Sequence, residues 1–510
     1  MKKIIKILSI IIVLSLTFTL LISCGKNGDY IENNMGYPNM ENNPNDSIND
    51  NQNEFNEIVE NDFIEARDNP SSIFSLSVNT AGYSLLRRTI NDNSPIDKNQ
   101  IKTEEIVNYF KYDYPNPEEG EPLSLNANLF DCPWSDGKLL TVGLKAEELD
   151  ITEVRNNLVF LLDVSGSMRS HDKLGLLKNA FLMMLENLDE NDMISIVTYA
   201  SKDEVLLSGA NGGESVEISQ TIEELEAGGS TAGSQGIQTA YSLAEDYFIE
   251  DGNNRVILAT DGDFNVGISN QTDLEDFIST KRESGIYLTV LGFGYGNLKD
   301  NNLETLANKG DGNYGYIDTI NEARRVLVEE IGGTLNTVAR DAKAKVIFNP
   351  AKVRNYRLIG YENLLLTEEE WEDSNTDAGE IGSGFTVTAV YELDLEDSEE
   401  PSTMDDNLLK VEVKYKSPDK DDDTEREMSV FADESNITSQ PTEDMLFISA
   451  VVETCLLLRE SQYKGEANIN NVLTRLNNLD NLEDNSYRLE FKGLVEKLIE
   501  DYFIDNSSEE

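Results

Sequence analysis

One histidine, His171, occurs among 510 residues, together with three cysteines and two tryptophans. A zinc centre rich in histidine is excluded. His171 reads as a surface-loop residue and there is no reactive free cysteine in view, so His-based triads are set aside as well. Cys24 lies near the start, which leaves Cys132 and Cys455, too few for a disulfide scaffold. Those two can pair with each other or remain buried thiols, and the thiols are favoured. Basic residues are scarce: 41 Lys and Arg face 96 Asp and Glu, a formal net charge of -55. Such a field repels nucleic acid and anionic headgroups and favours cations. The apolar run Met445 to Leu458 is too short to span a bilayer and reads as a buried helix.

What is present begins with a basic head, Lys2, Lys3 and Lys6, followed by the apolar stretch Ile7 to Ile22. That pattern is a secretory signal. Leu21-Ile22-Ser23-Cys24 resembles a bacterial lipobox, which implies cleavage before Cys24 and lipidation of its thiol; the alternative is an ordinary signal peptide that contains a cysteine. Residues 25–60 hold eleven Asn with few large apolar residues, a composition that cannot bury a core and suits a flexible tether. Hydrophobic content of 39% allows large cores in the remainder.

The most informative stretch is NNLVFLLDVSGSM, ending at Met168. Leu158 to Leu162 are apolar without alternation, as in a parallel strand covered on both faces. The run stops at Asp163, and Ser165 and Ser167 follow. In open α/β sheets ligands gather beyond the carboxyl ends of the strands, so these oxygens stand where such a fold binds things. From Asn157 to about Ile331 strands and helices alternate, which predicts a doubly wound, mostly parallel sheet. Expected strands are 193–199, 255–259, 287–292 and an edge at 314–317; expected helices include 173–188, 222–226, 234–247 and 274–283.

The D-x-S-x-S spacing resembles the metal-ion-dependent adhesion site of von Willebrand factor type A (VWA) domains. GGSTAG supplies Thr231 and TDGDFN supplies Asp261, in the order the family requires. The resemblance implies direct contact of Ser165 and Ser167 hydroxyls with a divalent cation, Mg²⁺ or else Mn²⁺ or Ca²⁺. Thr231 would join directly or through water, and Asp163 and Asp261 mainly through water. Neutral hydroxyls leave the ion's charge largely unquenched, so a carboxylate from a partner protein can complete its sphere. His171 and Asp263 are candidates for the rim of that ligand site.

The flanks extend the resemblance to the bacterial YfbK-type VWA lipoproteins. SSIFSLSVNTAGY, IKTEEIVNYFKYDYPNP, CPW, KLGLLK, GFGYGNLKD and DAGEIGSG carry it, over most of residues 62–500. A departure occurs at Ser77-Val78-Asn79, where the family pattern is acidic. The organisation expected is a signal peptide (1–23), lipidated Cys24 and tether (24–61), and an N-terminal helical and β segment (62–150). A VWA domain (151–335), a β-sandwich-like domain (336–440) and a helical region (441–510) follow. Residues 62–118 read as mostly helical. The strands at 122–146 and 340–432 should form one sandwich into which the α/β domain is inserted.

Other patterns carry less. GFGYG at Gly292 to Gly296 is a turn, lacking the full dinucleotide fingerprint. Asp419, Asp421 and Asp423 echo a calcium loop without its glycine and read as an acidic hairpin. The expected function is metal-dependent binding of an acidic group on a protein partner, at the extracytoplasmic face of the cell membrane, with no small-molecule cofactor and no catalysis. A scaffold in an envelope complex is the alternative. A metal-dependent hydrolase is less favoured, because Asp263 is the only candidate base.

Overall fold

The computed structural model describes residues 55–76, 78–149, 154–229, 235–262, 271–294, 298–396, 404, 406–419 and 422–503. Three bodies of packing are formed: an α/β sheet, an antiparallel sandwich and a helical layer. Thr231, Asp263, Cys24 and the tether lie outside the described residues.

Six strands make the α/β sheet: β5 (Asn156–Asp163), β6 (Met193–Tyr199), β7 (Asp203–Asn211), β8 (Asn253–Thr260), β9 (Ile286–Phe293) and β10 (Tyr314–Ile317). Their spatial order is β10-β9-β8-β5-β6-β7, parallel except for the antiparallel β6–β7 pair. The apolar run of β5 is explained by its position in the middle. Leu158, Phe160 and Leu162 pack with Leu177, Phe181 and Met184, while Val159 and Leu161 pack with Ile237, Tyr241 and Ile278 on the opposite face. Truncating Leu161, which has no exposed surface, to Ala would cost about 2–5 kcal/mol. The chain leaves β5 for β6 on one side and later returns to β8 on the other. The order therefore reverses between β5 and β8, the place where ligand crevices form in such sheets.

The sandwich contains one sheet ordered β1 (Ile64–Glu65), β12 (Val353–Ile359), β14 (Thr386–Leu395), β4 (Lys138–Ala146), β3 (Leu123–Asp131). The second runs β13 (Gly379–Gly382), β11 (Thr337–Phe348), β15 (Leu409–Lys416), β16 (Arg426–Ala432), with β2 (Ser71–Ser75) also paired to β11. Strand β4 pairs with β14 from Lys145↔Thr386 to Lys138↔Leu393, so segments on either side of the α/β domain are stitched together. The expected insertion is observed. Both sheets bury one core that includes Leu140, Val142, Val346, Tyr391 and Val411.

Residues 62–118 are not mostly helical. SSIFS forms β2, and helices occupy Ala81–Asn91 and Thr103–Asn108. Ile73, Phe74 and Leu76 fit either period, and it is the hydrogen bonding of β2 to Lys343–Ile347 that makes the stretch a strand. The two helices pack with Glu443–Leu458, Ile469–Asn477 and Ser486–Leu498 around Tyr83, Phe110, Phe447, Val451 and Phe491. Glu443–Leu458 is buried nearly all round, as its composition implies. Among the described residues no helix is long and apolar enough to cross a membrane. Cys132 and Cys455 are buried free thiols.

Candidate metal centre

Strand β5 ends at Asp163, whose carboxylate has no exposed surface. Its Oδ1 accepts from the Ser165 N–H at 2.8 Å, and its Oδ2 accepts from Tyr199 Oη and Thr260 Oγ1, both at 3.2 Å. Tyr199 closes β6 and Thr260 closes β8, so the neighbouring parallel strands hold the aspartate from both sides. Burial pushes the Asp163 carboxyl up to about 6, against the hydrogen bonds from Ser165, and nearby Asp261 adds to the rise. It remains largely charged at neutral pH.

The turn after Asp163 brings Ser165 Oγ and Ser167 Oγ to 2.8 Å from each other. Ser165 is buried and Ser167 exposed, so the pair stands at the surface with the aspartates behind it. Backbone bonds fix the turn: Val164 N–H donates to Tyr199 O, and Gly166 N–H donates to Gly229 O at 3.0 Å. In return Gly228 N–H donates to Val164 O at 2.8 Å. Gly229 adopts φ +84°, and a Cβ there would sit 2.6 Å from Ser201 Oγ. Gly228 and Gly229 are thus held directly beside the serine turn.

Asp261 follows β8 and is 1% exposed. Its Oδ2 accepts from Lys173 Nζ at 2.8 Å. Its Oδ1 is buried with no hydrogen-bond partner among the described residues. An unpartnered buried carboxylate oxygen is costly, and a cation or its bound water would satisfy it. The donors are hard oxygens of hydroxyls and carboxylates, the kind Mg²⁺ and Ca²⁺ prefer. Among the described residues no group of three or more His, Cys, Asp or Glu side chains could hold a metal ion alone, so the donor set depends on the serines. The residues fit a divalent cation.

The structure therefore brings together Asp163, Ser165, Ser167 and Asp261. His171 opens the turn His171–Gly175 and is exposed on the same loop. Lys173, Tyr199 and Thr260 were not singled out in the sequence. Lys173 had a legible signal: it opens the expected helix 173–188, where the macrodipole disfavours a cation. Tyr199 and Thr260 had none, because their roles depend on strand register. Arg88 reaches this loop from outside the α/β domain, donating from Nη2 to Asp172 Oδ2 at 2.6 Å.

Three family profiles match in succession. The one described as "von Willebrand factor" matches residues 49–141, "von Willebrand factor type A domain" residues 157–328, and "Uncharacterized protein YfbK, C-terminal" residues 333–500. The Escherichia coli protein "Uncharacterized protein YfbK" is 35% identical over 465 residues, covering 87% of this chain and 80% of its own. Mouse inter-alpha-trypsin inhibitor heavy chain H3 is 30% identical over 167 residues, 31% of this chain and 19% of that one. Among solved structures, a von Willebrand factor type A protein from Catenulispora acidiphila aligns at 17% identity and a TM-score of 0.40. It covers 78% of this chain and 89% of its own.

Proposed function

The chain belongs to the YfbK family, with a VWA domain and a YfbK C-terminal region, and on that premise we propose a membrane-anchored, metal-dependent binding protein that recognises an acidic group on a protein partner. The observation that carries this reading is the Ser165–Ser167 hydroxyl pair, set in front of two buried aspartates of which one, Asp261, keeps an oxygen with no hydrogen-bond partner among the described residues. Ser165 and Ser167 would hold the ion directly, Asp163 and Asp261 would orient its waters, and Thr231 would complete the protein's share. Mg²⁺ keeps several waters and resists an all-protein cage, which leaves room for an incoming carboxylate.

Binding rather than catalysis is favoured by Asp163. Both its oxygens are engaged by Ser165, Tyr199 and Thr260, so it stands as a fixed charge and not as a free general base. Cys24, with the basic and apolar stretch before it, supports lipid attachment and an extracytoplasmic location. A Cys24→Ser variant should leave the membrane fraction, and retention there would count against the anchor.

The test is calorimetric titration of Mg²⁺ and Mn²⁺ beside Asp163→Ala and Ser165→Ala. One site in the wild type, lost in both variants, is expected, together with chelator-sensitive capture of an envelope partner. Absence of binding in the wild type overturns the metal reading. A scaffold role is the second reading, favoured by the way chain from both sides of the VWA domain is paired into one sandwich. It predicts a complex that survives both chelator and Asp163→Ala.

A further inference from the structure

Lys173 is 9% exposed, and its stem lies against Gly294, where a Cβ would come within 2.3 Å of Lys173 Cε. Gly294 has φ +76°, so both backbone conformation and space reserve this position for glycine. The Gly294 carbonyl is held in turn by Tyr316 Oη at 2.7 Å. The Gly294 backbone thus flanks the lysine stem, and its ammonium ends on Asp261 Oδ2 at 2.8 Å. This places a built-in positive charge on the carboxylate whose other oxygen is left for the cation.

Resting on the metal reading above, we propose that Lys173 is a positioning and charge-setting residue that makes the loaded centre selective for anionic ligands. Counted as two carboxylates and one ammonium, Asp163, Asp261 and Lys173 have a formal net charge of -1. A divalent cation turns that to +1, and one ligand carboxylate then brings the centre to neutrality. Without Lys173 the metal alone would neutralise the two aspartates, and nothing would draw in an anion. The lysine therefore weakens the bare metal and strengthens the metal with its ligand. Asp163 and Asp261 are buried behind the serines, and beside them a unit charge at such range is a large influence. By holding Oδ2, Lys173 also fixes which oxygen of Asp261 faces the ion.

The experiment is Mn²⁺ titration of the full chain by calorimetry, with and without acetate as minimal carboxylate and acetamide as neutral control. Wild type, Lys173→Gln and Lys173→Arg are compared, with Asp163→Ala as the unloaded reference and circular dichroism to establish folding. Gln keeps a donor for Asp261 and removes the charge; Arg keeps the charge. In the wild type acetate should tighten Mn²⁺ binding and acetamide should not. Lys173→Gln should bind Mn²⁺ about tenfold more tightly alone and lose the acetate effect, and Lys173→Arg should retain that effect.

Equal Mn²⁺ affinity and equal acetate linkage in wild type and Lys173→Gln overturn the proposal and leave the metal reading standing. A folded Lys173→Gln that binds no Mn²⁺ also overturns it, since the lysine would then support the site through geometry alone. A wild type that binds no Mn²⁺ overturns both. Should Lys173→Gln fail to fold, loss of the acetate effect in a folded Lys173→Arg overturns the proposal by itself.

Discussion

Arg87 grips Asp318 with two parallel hydrogen bonds, Nε to Oδ2 at 2.9 Å and Nη2 to Oδ1, across 231 residues of chain. The same guanidinium reaches Glu322 and Glu490, each at 2.8 Å, and is itself 2% exposed. Asp318 follows the last VWA strand, Glu322 lies on the helix Ile320–Arg324 and Glu490 on Ser486–Leu498. Its neighbour Arg88 meanwhile holds Asp172 on the metal loop. One turn of the Ala81–Asn91 helix therefore touches the metal loop, the terminal VWA helix and the C-terminal helical layer.

Arg87→Met should destabilise the protein by about 3–5 kcal/mol, because buried carboxylates lose their counter-charge. Urea denaturation measures this. If the helix transmits events at the metal face, amide exchange over 320–335 should change when Mn²⁺ and acetate bind, and that response should shrink in Arg87→Met. Unchanged exchange in the wild type would sink the coupling idea.

Tyr199→Phe removes one of the three donors to Asp163 while keeping the ring in the core. Its expected cost is about 1 kcal/mol of stability and about tenfold in Mn²⁺ affinity. Calorimetry giving a wild-type affinity would mean that Thr260 and Ser165 suffice to orient the carboxylate.

Stability should depend on pH through Glu104. Burial, reinforced by Glu362, pushes its carboxyl from 4.5 up to about 7. The folded state then holds a proton that the unfolded chain releases, so stability from this group is lost as pH rises from 4.5 through 7. Glu104→Gln keeps an acceptor for the Tyr361 N–H and should flatten that slope. Its gain at pH 8 should be on the order of 2 kcal/mol. Parallel stability curves for variant and wild type between pH 5 and 8 would count against it.

Cys132 and Cys455 are buried, and burial pushes their thiols up to about 11 and about 12. In a Cys24→Ser background a thiol reagent should find no fast-reacting group in the native protein and two after denaturation. Rapid labelling of either in the native state would show a local opening.

Much of the α/β domain was legible because its signals are local. Strands at 193–199 and 314–317 were expected where they occur, and β10 is indeed an edge. Strand β7 escaped because it is an exposed edge of mixed composition that pairs antiparallel to β6. The helix Asp300–Lys309 escaped as well, its polar sequence burying Leu303, Leu306 and Ala307 beside the charged Asp300. Of the candidate site, the sequence supplied Asp163, Ser165, Ser167 and Asp261, while Thr231 and Asp263 fall outside the described residues.

Arg88 pairs in part with a carboxylate one helical turn away, Asp92, whereas the ion pairs of Arg87 are all long-range. The sequence by itself determined β5, the turn that follows it and the buried character of Glu443–Leu458, since hydrophobic period and turn chemistry act between neighbours. Only the tertiary structure decided that SSIFS is a strand and that Lys173 meets Asp261 across 88 residues. A strand exists through the hydrogen bonds of its partner, and a buried ion pair through a desolvated site that holds both charges at once; neither is encoded by the residues on either side.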